Sequence, residues 1–207
     1  LRLKLTYVAA RLEAARRLVA SRDAGRPERE PAAYTEAAAL IQDLELVRDC
    51  LLAAGARHAC RTTIDPLLAT VRAHGLHGYL LDVRDHSAVH RAALDDITTR
   101  IGGPSLAGDA LRGELLGRRP LVGEQAPLAE ETQKVLDTFR AVRTIQDELG
   151  QAAASTYIVS MTRDGDDLLR VLLFARETGL ADLAADPPVS RLDVVPLFET
   201  LDDLTQQ

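Results

Sequence analysis

Residues 155–180 read STYIVSMTRDGDDLLRVLLFARETGL, and the way this stretch changes period decides the fold class. Tyr157-Ile158-Val159-Ser160-Met161 is β-rich and nearly continuous in its apolarity, which is the pattern of a strand buried on both faces. Asp164-Gly165 then supplies a turn. Leu168 to Ala175 carry helical spacing, and Gly179 closes the helix. A strand that feeds a helix through a charged turn is the repeating unit of a parallel α/β sheet.

The same unit recurs on either side. In GLHGYLLDVRDHSAVHRAALDDITTRIGG, residues 75–103, the apolar segment Gly78-Tyr79-Leu80-Leu81 leads into Asp82-Val83-Arg84. A helix capped near Asp85 or Ser87 follows and runs to Gly102-Gly103. In VVPLFETLDDL, residues 194–204, Val194 to Phe198 form a third strand that delivers Glu199 to what reads as the start of a helix. Residues 104–150 read as helices joined by loops containing Pro104, Pro120 and Pro127. Upstream the chain is helical. Leu5, Val8, Leu12, Ala15 and Val19 lie on one face of a helix over 3–20, and residues 21–33, with Gly25, Pro27 and Pro31, form a loop. A second helix begins after Thr35, passes through Leu40, Leu44, Val47 and Leu51, and ends at Gly55. Asp65-Pro66 opens a third. The expected organisation is a helical segment over 1–74, then strand–helix units over 75–207 with a helical insertion at about 104–150.

Composition narrows the function classes. A formal charge of -6 and a pI near 5.4 disfavour nucleic-acid binding, whose phosphate contacts need a basic surface. Every apolar run is interrupted by Arg, Asp or Glu well before it reaches membrane length. The two cysteines, Cys50 and Cys60, fit free thiols in a reducing compartment. A soluble cytoplasmic protein is expected.

In a parallel α/β arrangement the C-terminal ends of the strands share one rim, so Asp82 and Arg84, Ser160 to Arg163, and Glu199 are expected to approach one another. Arginine grips a phosphate through its planar fork, and a glutamate ligates a hard cation such as magnesium or manganese through oxygen. Charges at strand–helix junctions also cap helices, and Asp82 with Arg84 reads equally as an ion pair. The residues alone leave both readings open. His86 and His90 stand four apart on one helical face with no third ligand near them, and are expected to be solvated surface histidines. Cys50, His58, Cys60, His74 and His77 lack zinc-site spacing. Gly102-Gly103-Pro104 lacks the strand and the Gly-Lys-Ser/Thr of a phosphate loop, so it reads as a turn.

Taken in order and spacing, LLDVRDHSAVH, YIVSMTRDGDDLLRVLLFARETGL and LDVVPLFETLDDL resemble the phosphoenolpyruvate carboxylase family. LKLTYVAARLEAA, LIQDLELVRDCLLAAG and LLGRRPL extend the resemblance over essentially the whole chain. It implies a portion of a large, mainly helical enzyme with a partial parallel β/α barrel. The implied activity is carboxylation of phosphoenolpyruvate with bicarbonate to oxaloacetate and phosphate, with Mg2+ or Mn2+, in a cytoplasmic homotetramer. It further implies that Arg84 contacts the substrate phosphate and that Glu199 binds the metal. The family's catalytic His and Lys motifs do not occur here, so the chain is expected to be an interior portion that does not turn over by itself. The alternative is an inactive helical interaction module that retains the scaffold. Two positions depart from the family pattern: His74-Gly75 stands where Phe-Gly is usual, and Asp85 follows the motif arginine where Gln is usual. An acid beside that arginine is expected to weaken anion binding.

Overall fold

A computed structural model describes residues 1–26, 29–123 and 127–199. The chain divides into two compact units, one made of 1–80 with 148–150, the other of 81–147 with the residues from 151 onward. Helix is the main element throughout, and a small parallel sheet lies in the second unit.

The first unit holds α1 (Arg2–Asp23), α2 (Ala37–Ala53), a short α3 (Arg57–Ala59) and α4 (Asp65–His74). Between α3 and α4 the backbone never leaves helical geometry. Cys60–Ile64 form a π-helical turn, flanked by Ala59 and Asp65 with right-handed helical φ and ψ. Val8, Tyr34, Leu40, Leu44, Val47, Ile64, Leu68 and Val71 make the core. The face expected to bury α1 is corrected here, because Leu5, Leu12 and Val19 are exposed and only Val8 and Ala14 are buried. The side of α1 turned to the unit carries Lys4, Val8 and Arg11 at helical steps. Lys4 Nζ and Arg11 Nη1 both reach the Asp43 carboxylate on α2, and the Arg11 guanidinium lies 3.8 Å from the centre of the Tyr34 ring. Arginine on an aromatic face gains cation–π attraction that hydrophobic periodicity does not register. Helix α2 begins after Glu36, one residue later than Thr35 suggests. It ends where Gly55, at φ +76°, lets Ala56 N donate to Leu51 O, a turn that a β-carbon would strain.

The second unit carries the sheet. Strands β1 (Asp82–His86), β2 (Thr156–Ser160) and, after the two-residue pair β3 (Ala181–Asp182) with β4 (Val189–Ser190), β5 (Asp193–Leu197) form a three-stranded parallel sheet in the order β1-β2-β5. Helices α5 (Ser87–Arg100), α6 (Gly108–Leu115), α7 (Glu130–Leu149) and α8 (Gly165–Glu177) accompany it. The first strand is corrected by four residues. Tyr79 and Leu80, expected inside it, are 87% and 68% exposed, and the paired residues are Asp82 to His86, polar except for Val83. Backbone pairing with β2 fixes this register, and an edge strand with one open face tolerates alternate polar residues.

Register places Val83, Tyr157 and Val194 side by side, and these pack into the core with Leu94, Phe139, Val171 and Phe174. Arg84, Ile158 and Val195 are likewise in register and therefore share the opposite face. Asp164, expected only as part of a turn, caps α8, with Oδ1 accepting from Asp167 N at 3.2 Å.

Candidate active site

Arg84 and Glu199 meet. Arg84 stands in the middle of β1, Glu199 stands just past the end of β5, and β2 separates the two strands. Arg84 Nη2 donates to Glu199 Oε1 at 2.5 Å across 115 residues of sequence. Their side chains are 53% and 34% exposed, so the pair lies at an accessible rim. The expected ion pair between Asp82 and Arg84 is replaced by this one. Asp82 begins β1 and so sits at the end of the sheet remote from the rim, a consequence of the four-residue shift in the strand. The helix expected after Glu199 lies outside the described residues.

Asp85 faces away from Arg84 by strand alternation. Its Oδ1 accepts from His86 N at 2.7 Å, and its charge is felt by Tyr157 and His90 on the helix-covered side. The expected competition between Asp85 and an anion at Arg84 therefore has no support in the geometry. His86 is the N-cap of α5, with Nδ1 accepting from Ala88 N at 3.0 Å. His90 is corrected outright. It is completely buried, with Nε2 2.8 Å from Tyr157 Oη and Phe139 and Phe174 around its ring. Burial drives its basicity down to about 4, with Asp85 and Asp167 opposing and His86 and Arg170 assisting. Tyr157 is pushed up, first by burial and then by Asp85. The residues that pack on His90 lie on other elements, which is why its sequence neighbours do not reveal its burial.

Three hydrogen bonds join the ends of the strands. Ser160 Oγ donates to Asp85 O at 3.2 Å, Ser87 Oγ donates to Met161 O at 2.7 Å, and Thr162 N donates to Leu197 O at 3.3 Å. Met161 has φ +54°, the sole residue other than glycine with positive φ among the described residues. Behind this rim Asp167 is fully buried and accepts from Arg170 Nη1 at 2.7 Å, Arg91 Nη2 at 3.0 Å and Arg163 N at 3.0 Å. The i,i+3 spacing of Asp167 and Arg170 is legible in the sequence, whereas Arg91 reaches the cluster only through the fold.

As a cation site the rim is incomplete. No group of three or more His, Cys, Asp or Glu side chains is arranged to hold a metal among the described residues. Magnesium and manganese require several well-placed oxygens, and the described residues do not fit either ion by themselves. A separate cavity of about 290 Å³ is lined by Gly117, Arg118, Pro120, Arg176 and Asp182, away from the rim. Arg176 spends its donors there on Glu114, Gly117 and Glu177, which makes it a structural tie. No helix among the described residues is long and apolar enough to cross a membrane.

Comparison with known proteins places this geometry in context. The family model for phosphoenolpyruvate carboxylase matches residues 1–207. The chain is 36% identical to the phosphoenolpyruvate carboxylase of Thermosynechococcus vestitus, a match covering 98% of the chain and 21% of that protein. It is 36% identical to the enzyme of Gloeobacter violaceus, over 98% and 23% of the two chains. It is 35% identical to that of Rhodothermus marinus, again over 98% and 23%. The chain thus spans between a fifth and a quarter of the length of these relatives.

Proposed function

Because this chain belongs to the phosphoenolpyruvate carboxylase family, we propose that it is a segment of a carbon–carbon lyase that makes oxaloacetate and phosphate from phosphoenolpyruvate and bicarbonate. Similarity running through 98% of the chain favours this over an inactive interaction module. Residues 1–74 are proposed as a helical segment, and residues 75–207 as the first strand–helix units of a parallel β/α barrel with a helical insertion at about 104–150. The complete enzyme is proposed to be a cytoplasmic homotetramer that requires Mg2+ or Mn2+.

The observation that carries the site is the Arg84–Glu199 contact at the strand ends. In the proposed reaction a bicarbonate oxygen attacks phosphorus and the enolate leaves. Carboxyphosphate then splits to carbon dioxide and phosphate, and the enolate carbon bonds to the carbon dioxide. Arg84 is assigned to the phosphoryl oxygens, whose charge its two-pronged guanidinium spreads and orients. Glu199 is assigned as one oxygen ligand of the divalent cation, within a set that other residues must complete. An exposed ion pair of this kind is worth only ~0–1 kcal/mol, so an arriving anion and cation separate it at little cost.

The test uses the full-length enzyme. A charge-assisted bidentate contact in a partly desolvated site contributes roughly 2 to 4 kcal/mol, so Arg84→Ala lowers kcat/KM by about 30- to 1,000-fold. Arg84→Lys restores little, because a point charge replaces the fork. Unchanged efficiency in the alanine variant removes Arg84 from the site.

A further inference from the structure

Arg84 lies on β1 and Glu199 just beyond β5, two strands that do not pair with each other, and their meeting depends on how the chain beyond the strand ends is held. We propose that the turn after β2 is a brace for this purpose, with Ser87, Met161 and Thr162 as positioning residues for the Arg84–Glu199 site. The inference rests on the reading of that site given above and adds the device that sets its geometry.

The turn reaches both neighbours at once. Toward β1, Met161 O accepts the buried Ser87 hydroxyl at 2.7 Å, and Ser160 Oγ bonds Asp85 O at 3.2 Å. These contacts fall within three residues of Arg84. Toward β5, Thr162 N donates to Leu197 O at 3.3 Å, two residues before Glu199. Thr162 Oγ1 closes the turn on Val159 O at 2.8 Å. Ordinary strand pairing ends at His86, Ser160 and Leu197. The brace therefore takes over where the ladder stops: toward β5 it holds the chain that leads on to Glu199, and toward β1 it ties down the end of the strand in which the ladder already fixes Arg84.

Met161 is the point at which the turn becomes costly. A side chain with a β-carbon at φ +54° crowds the following carbonyl, a conformation that persists only where surrounding contacts over-determine it. Here those contacts are the Ser87 and Leu197 hydrogen bonds. If the peptide turned back to negative φ, the Met161 carbonyl and the Thr162 N–H would both rotate away from their partners. Loss of one contact would then release the other, so the separation of Arg84 and Glu199 is held in one arrangement and does not vary smoothly.

The brace is testable with substitutions that touch neither Arg84 nor Glu199. In the full-length enzyme, Met161→Ile places a β-branched side chain where positive φ is most disfavoured. It is expected to lower kcat/KM for phosphoenolpyruvate by about 10- to 100-fold, through KM more than kcat, since sub-ångström to ångström misplacement has effects of this size. Met161→Gly, which adopts positive φ freely, is expected to recover most of that loss. Ser87→Ala removes one hydroxyl and is expected to raise KM by about 2- to 12-fold, the range for one hydrogen bond. Thermal unfolding of each variant separates this from simple loss of fold, because a brace raises KM at an assay temperature well below the Tm, where the variant is still fully folded. Wild-type KM in both Met161→Ile and Ser87→Ala, with Arg84→Ala impaired, overturns the brace and leaves the site standing. Wild-type kinetics in Arg84→Ala overturns the site and the brace together. Where Met161→Ile does not yield folded enzyme, Ser87→Ala decides by the same KM criterion.

Discussion

Protonating His90 is expected to destabilise the second unit from within. The imidazole is completely buried among Phe139, Tyr157 and Phe174, and its basicity falls from 6.5 to about 4, mainly through burial. An unfolded chain therefore takes up the proton at a higher pH than the folded one does. Stability from a neutral His90 is complete above pH 6.5 and declines as the pH falls toward 4. Each pH unit between the two values corresponds to ~1.4 kcal/mol, so roughly 3 kcal/mol is lost by pH 4 and about 2 kcal/mol already at pH 5. Urea unfolding followed by circular dichroism at pH 7 and pH 5 measures the loss, with His90→Gln as the reference. Glutamine can still bond the Tyr157 hydroxyl but takes up no proton in this range. The wild-type chain should lose about 2 kcal/mol more than the variant between the two pH values. Equal losses would refute the reasoning, since the pH dependence would then come from other groups.

Asp167→Ala should cost about 3 to 5 kcal/mol in urea unfolding, because it leaves a buried Arg170 with only the longer contact to Asp166 at 3.9 Å and frees Arg91 and Arg163 N as well. A loss under 1 kcal/mol would show that Arg170 finds equal partners without it. Phe139→Ala, at a fully buried ring stacked 4.9 Å from Tyr157, should cost about 3 to 5 kcal/mol by the same assay. Calorimetric titration of this 207-residue chain with manganese should detect no binding tighter than about millimolar, since the described residues bring no ligand set together. Tight one-to-one binding would show that the site is complete within these residues.

Local pattern carried much of the architecture. The alternation of apolar strand and periodic helix in 155–180 was legible because β2 is the central strand, flanked on both sides, and its side chains must be apolar wherever the helices cover it. β1 was harder to read. An edge strand is specified by its hydrogen-bonding partner, so Asp82 to His86 pair as a strand although all but Val83 are polar, and the apolar Tyr79 to Leu81 before them do not. The buried face of α1 departs from its apolar period for a related reason, since Lys4 and Arg11 are held by Asp43 and Tyr34 while Leu5 and Leu12 stay exposed. At the rim, residue type and strand position together suggested that Arg84 and Glu199 would converge. The Ser87–Met161 tie and the burial of His90 depend on which elements become neighbours, and no local spacing encodes that.

The π-helical turn at Cys60–Ile64 bears on how this segment can change length. A π turn accommodates one more residue than an α turn over nearly the same rise, so it stores a single-residue insertion as a local widening. Without the widening, an extra residue would rotate everything beyond it by about 100°, carrying Leu68 and Val71 off the α2 face on which they now pack. Loss of one residue between Cys60 and Ile64 could likewise be absorbed by a return to α geometry, with α4 keeping its orientation. Relatives that differ by one residue here can therefore share the same packing, and an alignment gap at this point marks a change in helical winding and leaves the core as it was.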